Sequence, residues 1–533
     1  MLISPSLELF LLFSIVLLTI ITVPILSRSL KVSLFPPLLN PCLRVIKLRA
    51  IPTLGSTTWV GSYSSAIKNF GGISEIVQEG YDKYKGIPFK IPTLSNWMVI
   101  VSGNKLIEEV KRAPEEHLSA VEAINDAFQI AFTIGEEVAR NPYHFAIIKT
   151  SLTRQLTGLF PSIDDEITLT LSEVFGSEDN EWENVVAFDA IRKVVSRASN
   201  RVFVGLSLCR NPGWLELSSR VASDVIVSAT TMNLFPRFIL VAKFVTSTSR
   251  NTRQGNEYLG PVIRERQKRR ATRLQDGNQA DTPNDFLQWL IDNDTETSEW
   301  EITQRILVMV FASIHTTATS FVPVLYNLAA HPEYLKPLRE EVDSIVHQDG
   351  WTKIAIDKMH MVDSFLKENH RLNCISSLVG VRRVRKDFTF SDGRVVPRGC
   401  DIAIPLSAIH HDEEIYSSSN TFDPFRFSRL HIDQNDPRQQ LVSLNSDFLT
   451  FGHGKYAWYG HDHLLLAAAY LEHTSSPGRF FSTTLQKTLL ARIVTLYDLK
   501  LEDNAPSTMK TIELGVFVAP DPTTRVFMRR RML

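Results

Sequence analysis

Cysteine is scarce in these 533 residues, and the four present, Cys42, Cys209, Cys374 and Cys400, are scattered without C-x-x-C spacing. That argues against a zinc site or a disulfide framework and predicts reduced thiols. Excess charge is missing too: 57 Lys and Arg face 58 Asp and Glu, so nothing global points to nucleic acid or an acidic partner. Even the basic run 264–273 (RERQKRRATR) reads as an exposed helix end leading into a polar linker at 276–284. Charge is absent altogether from Leu9 to Leu26, eighteen residues long, near the shortest apolar stretch that crosses a bilayer as a helix. A signal peptide would bring a basic start and a small-x-small cleavage site, and the segment has neither. Arg28, Lys31, Arg44, Lys47 and Arg49 follow it while only Glu8 precedes it, which predicts a cytosolic body. Residues 1–30 are therefore expected to be a membrane anchor, 31–49 a linker stiffened by Pro36, Pro37 and Pro41, and 50–533 the functional domain.

The body predicts a mainly α fold with a small β region, after one transmembrane helix. From about 50 to 115, short apolar runs such as Met98-Val99-Ile100-Val101 alternate with turns and read as a small sheet with interleaved helices. To about 345 the periodicity is helical, ending in a long apolar helix from Glu301 to Leu328. Inside it lies Phe311-Ala312-Ser313-Ile314-His315-Thr316-Thr317, whose histidine and paired threonines cost helix propensity. Threonine hydroxyls bonding to carbonyls one turn earlier would be a sufficient structural reason for them. Glu368 and Arg371, three apart in a helix over 363–373, form the kind of pair common on helix surfaces. Residues 388–396 read as a hairpin around Asp392-Gly393. A helix is predicted from Pro477 to Leu490, then terminal strands at 496–501 and 516–519.

The stretch Phe451-Gly452-His453-Gly454-Lys455-Tyr456-Ala457 resembles the cysteine loop of the cytochrome P450 family, Phe-x-x-Gly-x-x-x-Cys-x-Gly, where a thiolate binds heme iron. Three more stretches resemble that family in the same order. Phe311–Thr317 is similar to its central-helix run, with Thr316 on the family's threonine, Ser313 for a glycine and His315 for the acid. Glu368-x-x-Arg371, with Arg426 in Phe422-Asp423-Pro424-Phe425-Arg426-Phe427, is similar to its buried charge network. The resemblance implies heme held by Phe451, Gly454, Arg479 and either Arg382 or Arg383, with Thr316 and His315 as the proton relay. Histidine titrates near neutrality and can replace a carboxylate there. It further implies an NADPH-dependent reductase, O2, a hydrophobic small-molecule substrate and a single-pass protein of the endoplasmic reticulum membrane. The variant Ala-Ser-Ile-His-Thr-Thr is similar to that of fungal oxidases of diterpenoids and indole-diterpenoids, which makes terpenoid the leading substrate class.

One element departs from the family. Trp458 stands where the cysteine belongs, and an indole nitrogen only donates. The remainder of the motif reappears at Ser476-Pro477-Gly478-Arg479-Phe480-Phe481, so residues 458–476 split it. The codons at both edges are compatible with a retained intron. Trp458-Tyr459-Gly460 must read TG-GTAYGG, and an AGY codon for Ser476 would return the pyrimidine that completes TGY, cysteine. The excised bases, one from codon 458, codons 459–475 and two from codon 476, make whole codons and preserve the downstream frame. The alternatives are a catalytically inactive relative that keeps the fold, and a heme protein using His453, His461, His463 or His473 as ligand.

Overall fold

The computed structural model describes residues 47–532 except 57, 70, 94–95, 177–180, 235–246, 277–281, 294–296, 435–436 and 453–477. The anchor predicted at 1–30 and nearly all of the linker lie outside the described residues.

The fold is mainly helical with a small β region. Its axis is the helix predicted at Glu301–Leu328, observed as Glu299–Ala330. Ser298 caps it, accepting from the Glu301 amide, and Glu299 and Glu301 place negative charge in the first turn, where the helix dipole favours it. Among the described residues it is the one helix long and apolar enough to cross a membrane, yet most of it is buried inside the protein. Each fully buried Ile, Leu, Val or Phe along it contributes about 1.5–3 kcal/mol.

The helices that place the site are, in chain order, α1 Ile73–Tyr84, α2 Ala120–Phe128, α3 Thr153–Val174, α4 Ala187–Phe203, α5 Pro212–Leu234, α6 Ser247–Asp276, α7 Glu299–Ala330, α8 His360–Leu372 and α9 Arg479–Leu496. α7 packs against α4, α5 and α6, and α4 against α3. The basic run at 264–273 lies in the second half of α6. It is neutralised locally: Arg264 pairs with Glu299 at 2.6 Å and Arg266 with Asp285 at 2.5 Å.

The main sheet joins β1 Phe89–Pro92, β2 Trp97–Ile100, β8 Asp401–Ile404, β5 Val379–Val384 and β3 Leu118–Ser119, in that order. Among the described strands of this sheet, β2 and β8 are the parallel pair. Gly80 of α1 faces this sheet. A Cβ there would lie 2.2 Å from the Phe89 ring, so only glycine allows the helix so close.

The predicted hairpin forms as β6 Phe388–Thr389 against β7 Val395–Val396, with Gly393 at φ +85° in the turn. Near the C terminus the predicted strands are present but do not pair with each other. β9 Tyr497–Lys500 pairs with β12 Arg525–Arg530, which continues to β4 Glu183–Val186. β11 Phe517–Pro520 instead closes a hairpin with β10 Thr511–Leu514 around Gly515 at φ +60°.

Candidate active site

Glu368 and Arg371 lie on α8, which is buried from Val362 to Arg371, so this is not the exposed ion pair that its spacing alone suggests. Both side chains are fully buried, and Arg371 donates from Nε and Nη2 to the two carboxylate oxygens at 2.8 Å each. Its Nη1 reaches the carbonyls of His410 and Ser419 at 2.6 Å. Arg426 donates from Nε to Glu368 Oε1 at 3.2 Å and from Nη1 to the Ser417 carbonyl at 2.7 Å. Two guanidinium groups and one carboxylate are thus satisfied by each other and by backbone oxygens, which is what makes burying them tolerable. Lys367 extends the clamp, its Nζ donating to the carbonyls of Arg438, Gln439 and Gln440.

On α7 the unusual residues each take a different partner. Thr316 donates to the Ala312 carbonyl at 2.7 Å, the bond one turn back that threonine can make in any helix, and it is exposed between a half-buried His315 and a buried Thr317. Its only proton is spent there, which leaves the hydroxyl oxygen as an acceptor. His315 Nε2 lies 3.1 Å from the Ser219 carbonyl of α5. A carbonyl only accepts, so Nε2 carries the hydrogen and Nδ1 is the acceptor. Burial pushes the His315 pKa down, which keeps the ring neutral. Ser313 Oγ meets Ser199 Oγ of α4 at 3.2 Å. The sequence gives no local sign of Ser219 or Ser199, because both partners belong to other helices.

The residues expected around heme divide into two groups. Gly454 and the Trp458/Ser476 junction, with the candidate ligands His453, His461, His463 and His473, lie outside the described residues. Of the rest, Phe451 sits with its ring 6.4 Å from that of His370. Arg479 opens α9 with its guanidinium 4.3 Å above the Phe480 ring, and its buried Nε has no partner among the described residues. Arg382 and Arg383 are consecutive in β5 and so point to opposite faces of the sheet. Arg383 is held by Asp401 at 2.6 Å and Asp126 at 2.8 Å, whereas Arg382 is buried and donates to the Val381 carbonyl at 3.1 Å.

An apolar cavity lies between α2 and α7, walled by Val121, Ile124, Phe128, Val308, Phe311 and Ala312. The Phe128 and Phe311 rings, both in its wall, meet edge-on at 5.2 Å. Ala312 is therefore both a wall of the cavity and the acceptor of the Thr316 hydroxyl.

The fold agrees with what the chain is similar to. The family profile described as Cytochrome P450 matches residues 49–457. Cytochrome P450 monooxygenase 151 of Postia placenta is 35% identical over 491 residues, covering 91% of this chain and 94% of that protein. Cytochrome P450 monooxygenase 71 of the same fungus is 37% identical over 492 residues, with the same coverage. The ent-kaurene oxidase of Gibberella intermedia is 31% identical over 470 residues, 86% of this chain and 83% of that one.

Proposed function

Because the chain belongs to the cytochrome P450 family of heme-dependent monooxygenases, we propose that its lineage hydroxylates or successively oxidises a hydrophobic small molecule of the terpenoid class, and that the polypeptide with residues 458–476 in place does not. The observation that carries the first half is the turn of α7 on which Ala312 walls the apolar cavity and accepts the hydroxyl proton of Thr316. The ent-kaurene oxidase among its relatives is what favours a terpenoid. Residues 50–533 are read as one catalytic domain, and 1–30 as an anchor holding it on the cytosolic side of the endoplasmic reticulum membrane. The apolar run Leu9–Leu26 and the basic residues behind it support that placement.

The family's cofactor is heme iron, and when bound it supplies oxygen activation with electrons from a reductase. Part of the site fits such a group. Arg479, whose buried Nε has no partner among the described residues, suits one of its carboxylates, and Arg382 and Arg383, side by side in β5, are the candidates for another. The metal-ligand position does not fit, since Trp458 offers iron no lone pair. Thr316, its proton given to Ala312, is poised to accept a hydrogen bond, and His315 Nδ1 is the ring atom through which a proton would pass.

The family match ends at Ala457, one residue before Trp458, which supports reading 458–476 as foreign to the motif. A retained intron accounts for both edges and for the preserved frame. The test is the reduced, CO-bound absorption spectrum of the given chain beside one in which residues 458–476 are replaced by a single cysteine. The shortened protein should give a thiolate-type band and the given chain none. A thiolate-type band from the given chain would refute the reading.

A further inference from the structure

We propose that Ser199 and Asn200, neighbours on α4, are positioning residues for His315: one holds α7, the other holds α5, and between them they set the hydrogen bond that orients the imidazole. This rests on the reading of His315 as a proton relay and adds what keeps its ring in one orientation.

The His315 bond joins two helices, since Nε2 belongs to α7 and the Ser219 carbonyl to α5. Its length therefore depends on where those helices stand relative to each other. Each is tied to α4 close to that bond. On α7, Ser313 lies two residues before His315 and meets Ser199 Oγ at 3.2 Å. On α5, Trp214 donates from Nε1 to Asn200 Oδ1 at 2.7 Å, and Ser218, the residue before Ser219, has its Oγ 3.4 Å from Asn200 Nδ2. Asn200 thus grips the turn of α5 that leads into Ser219.

The grip has one sense only. An indole nitrogen can only donate, so the Asn200 atom facing it is the carbonyl oxygen. The amide nitrogen then donates to the Ser196 carbonyl at 2.9 Å, one turn back, which locks the side chain against its own helix. Ser199, Asn200, Trp214 and Ser218 have no exposed surface, and in such low-dielectric surroundings a hydrogen bond is stronger than in water. Adjacent residues of one helix cannot move apart. α4 is therefore the common reference for both ends of the His315 bond.

Solid-state nitrogen NMR of the full-length chain, labelled in its histidine rings and reconstituted in bilayers, tests this without iron and without a substrate. The His315 signals are those lost in His315→Gln, and in the parent they should show hydrogen on Nε2 alone. Asn200→Leu strands the Trp214 N–H and should cost stability as well as release α5. The decisive variant is therefore Asn200→Leu with Trp214→Phe, in which the donor goes with its acceptor and much of that stability returns. This double variant and Ser199→Ala should each displace the His315 Nε2 signal and bring up an Nδ1–H signal, with the signals of the buried His370 and His410 unmoved. Ser199→Ala, the loss of one oxygen, carries the test if the double variant does not fold. A parent-like His315 in either folded variant, or hydrogen on Nδ1 in the parent, would overturn the inference. In the cysteine-restored protein the double variant should release as much peroxide per NADPH as His315→Gln, and the three substitutions together no more than that. A changed tautomer with unchanged coupling would uphold the positioning and refute the relay, and failure of heme binding is read separately, in the CO spectrum.

Discussion

Arg371 holds both carboxylate oxygens of Glu368 at 2.8 Å, and neither side chain has any exposed surface. Removing the carboxylate leaves Arg371 and Arg426 buried without a counter-charge. Glu368→Ala should therefore cost about 3–5 kcal/mol, the range for an orphaned buried charge. The urea midpoint measures it, and a shift equivalent to under about 1 kcal/mol would mean the network carries little of the fold.

Acid should destabilise the protein through its buried histidines. Burial lowers the pKa of His370 from 6.5 to about 4, and that of His410, with Arg371 close by, to about 3. Between those values and 6.5 the unfolded chain binds protons that the native state refuses, so stability is present above pH 6.5 and is lost as pH falls towards 4. His370 alone accounts for on the order of 3 kcal/mol of that loss. Urea midpoints at a series of pH values should fall over this window, and less steeply in His370→Gln. A flat profile down to pH 4 would contradict the burial of these rings.

In the cysteine-restored protein, Thr316→Ala should divert NADPH oxidation from product to hydrogen peroxide, and Thr316→Ser should restore most of the coupling. Peroxide released per NADPH consumed is the measurement. Equal coupling in Thr316→Ala and parent would remove the threonine from proton delivery, leaving its bond to the Ala312 carbonyl as a feature of the helix alone.

Sequencing the mature transcript should show a spliced form lacking the bases between codons 458 and 476, with Ser476 encoded by AGY. Reads running unbroken through that stretch with no spliced form, or a TCN codon at 476, would defeat the intron.

The sequence disclosed what short spacings and long periodicities can carry. The limits of α7 differ from those expected by two residues at each end, and Glu368 and Arg371 are three apart on one helix whatever surrounds them. Spacing could not say that the pair is buried. That depends on Arg426 and on carbonyls from His410 to Thr421, which arrive from another part of the chain. His144 and Arg305 left no trace for the same reason: they lie far apart in the chain, and only the packing of their segments brings them to 3.2 Å. The pairing of Arg383 with Asp401 was equally illegible, since Asp401 belongs to the adjacent strand β8.

α7 is buried through most of its length, and its aliphatic side chains alone give little reason to prefer one angular setting over another a fraction of a turn away. Polar tethers to neighbouring elements supply that reason. Ser313 is pinned to Ser199 on one side, His315 to Ser219 on another, and Gln304 reaches the Ile134 carbonyl at 2.8 Å two turns earlier. Together they act as an indexing pin. They fix the rotational phase of the helix, so that Phe311 and Ala312 come to rest against the cavity.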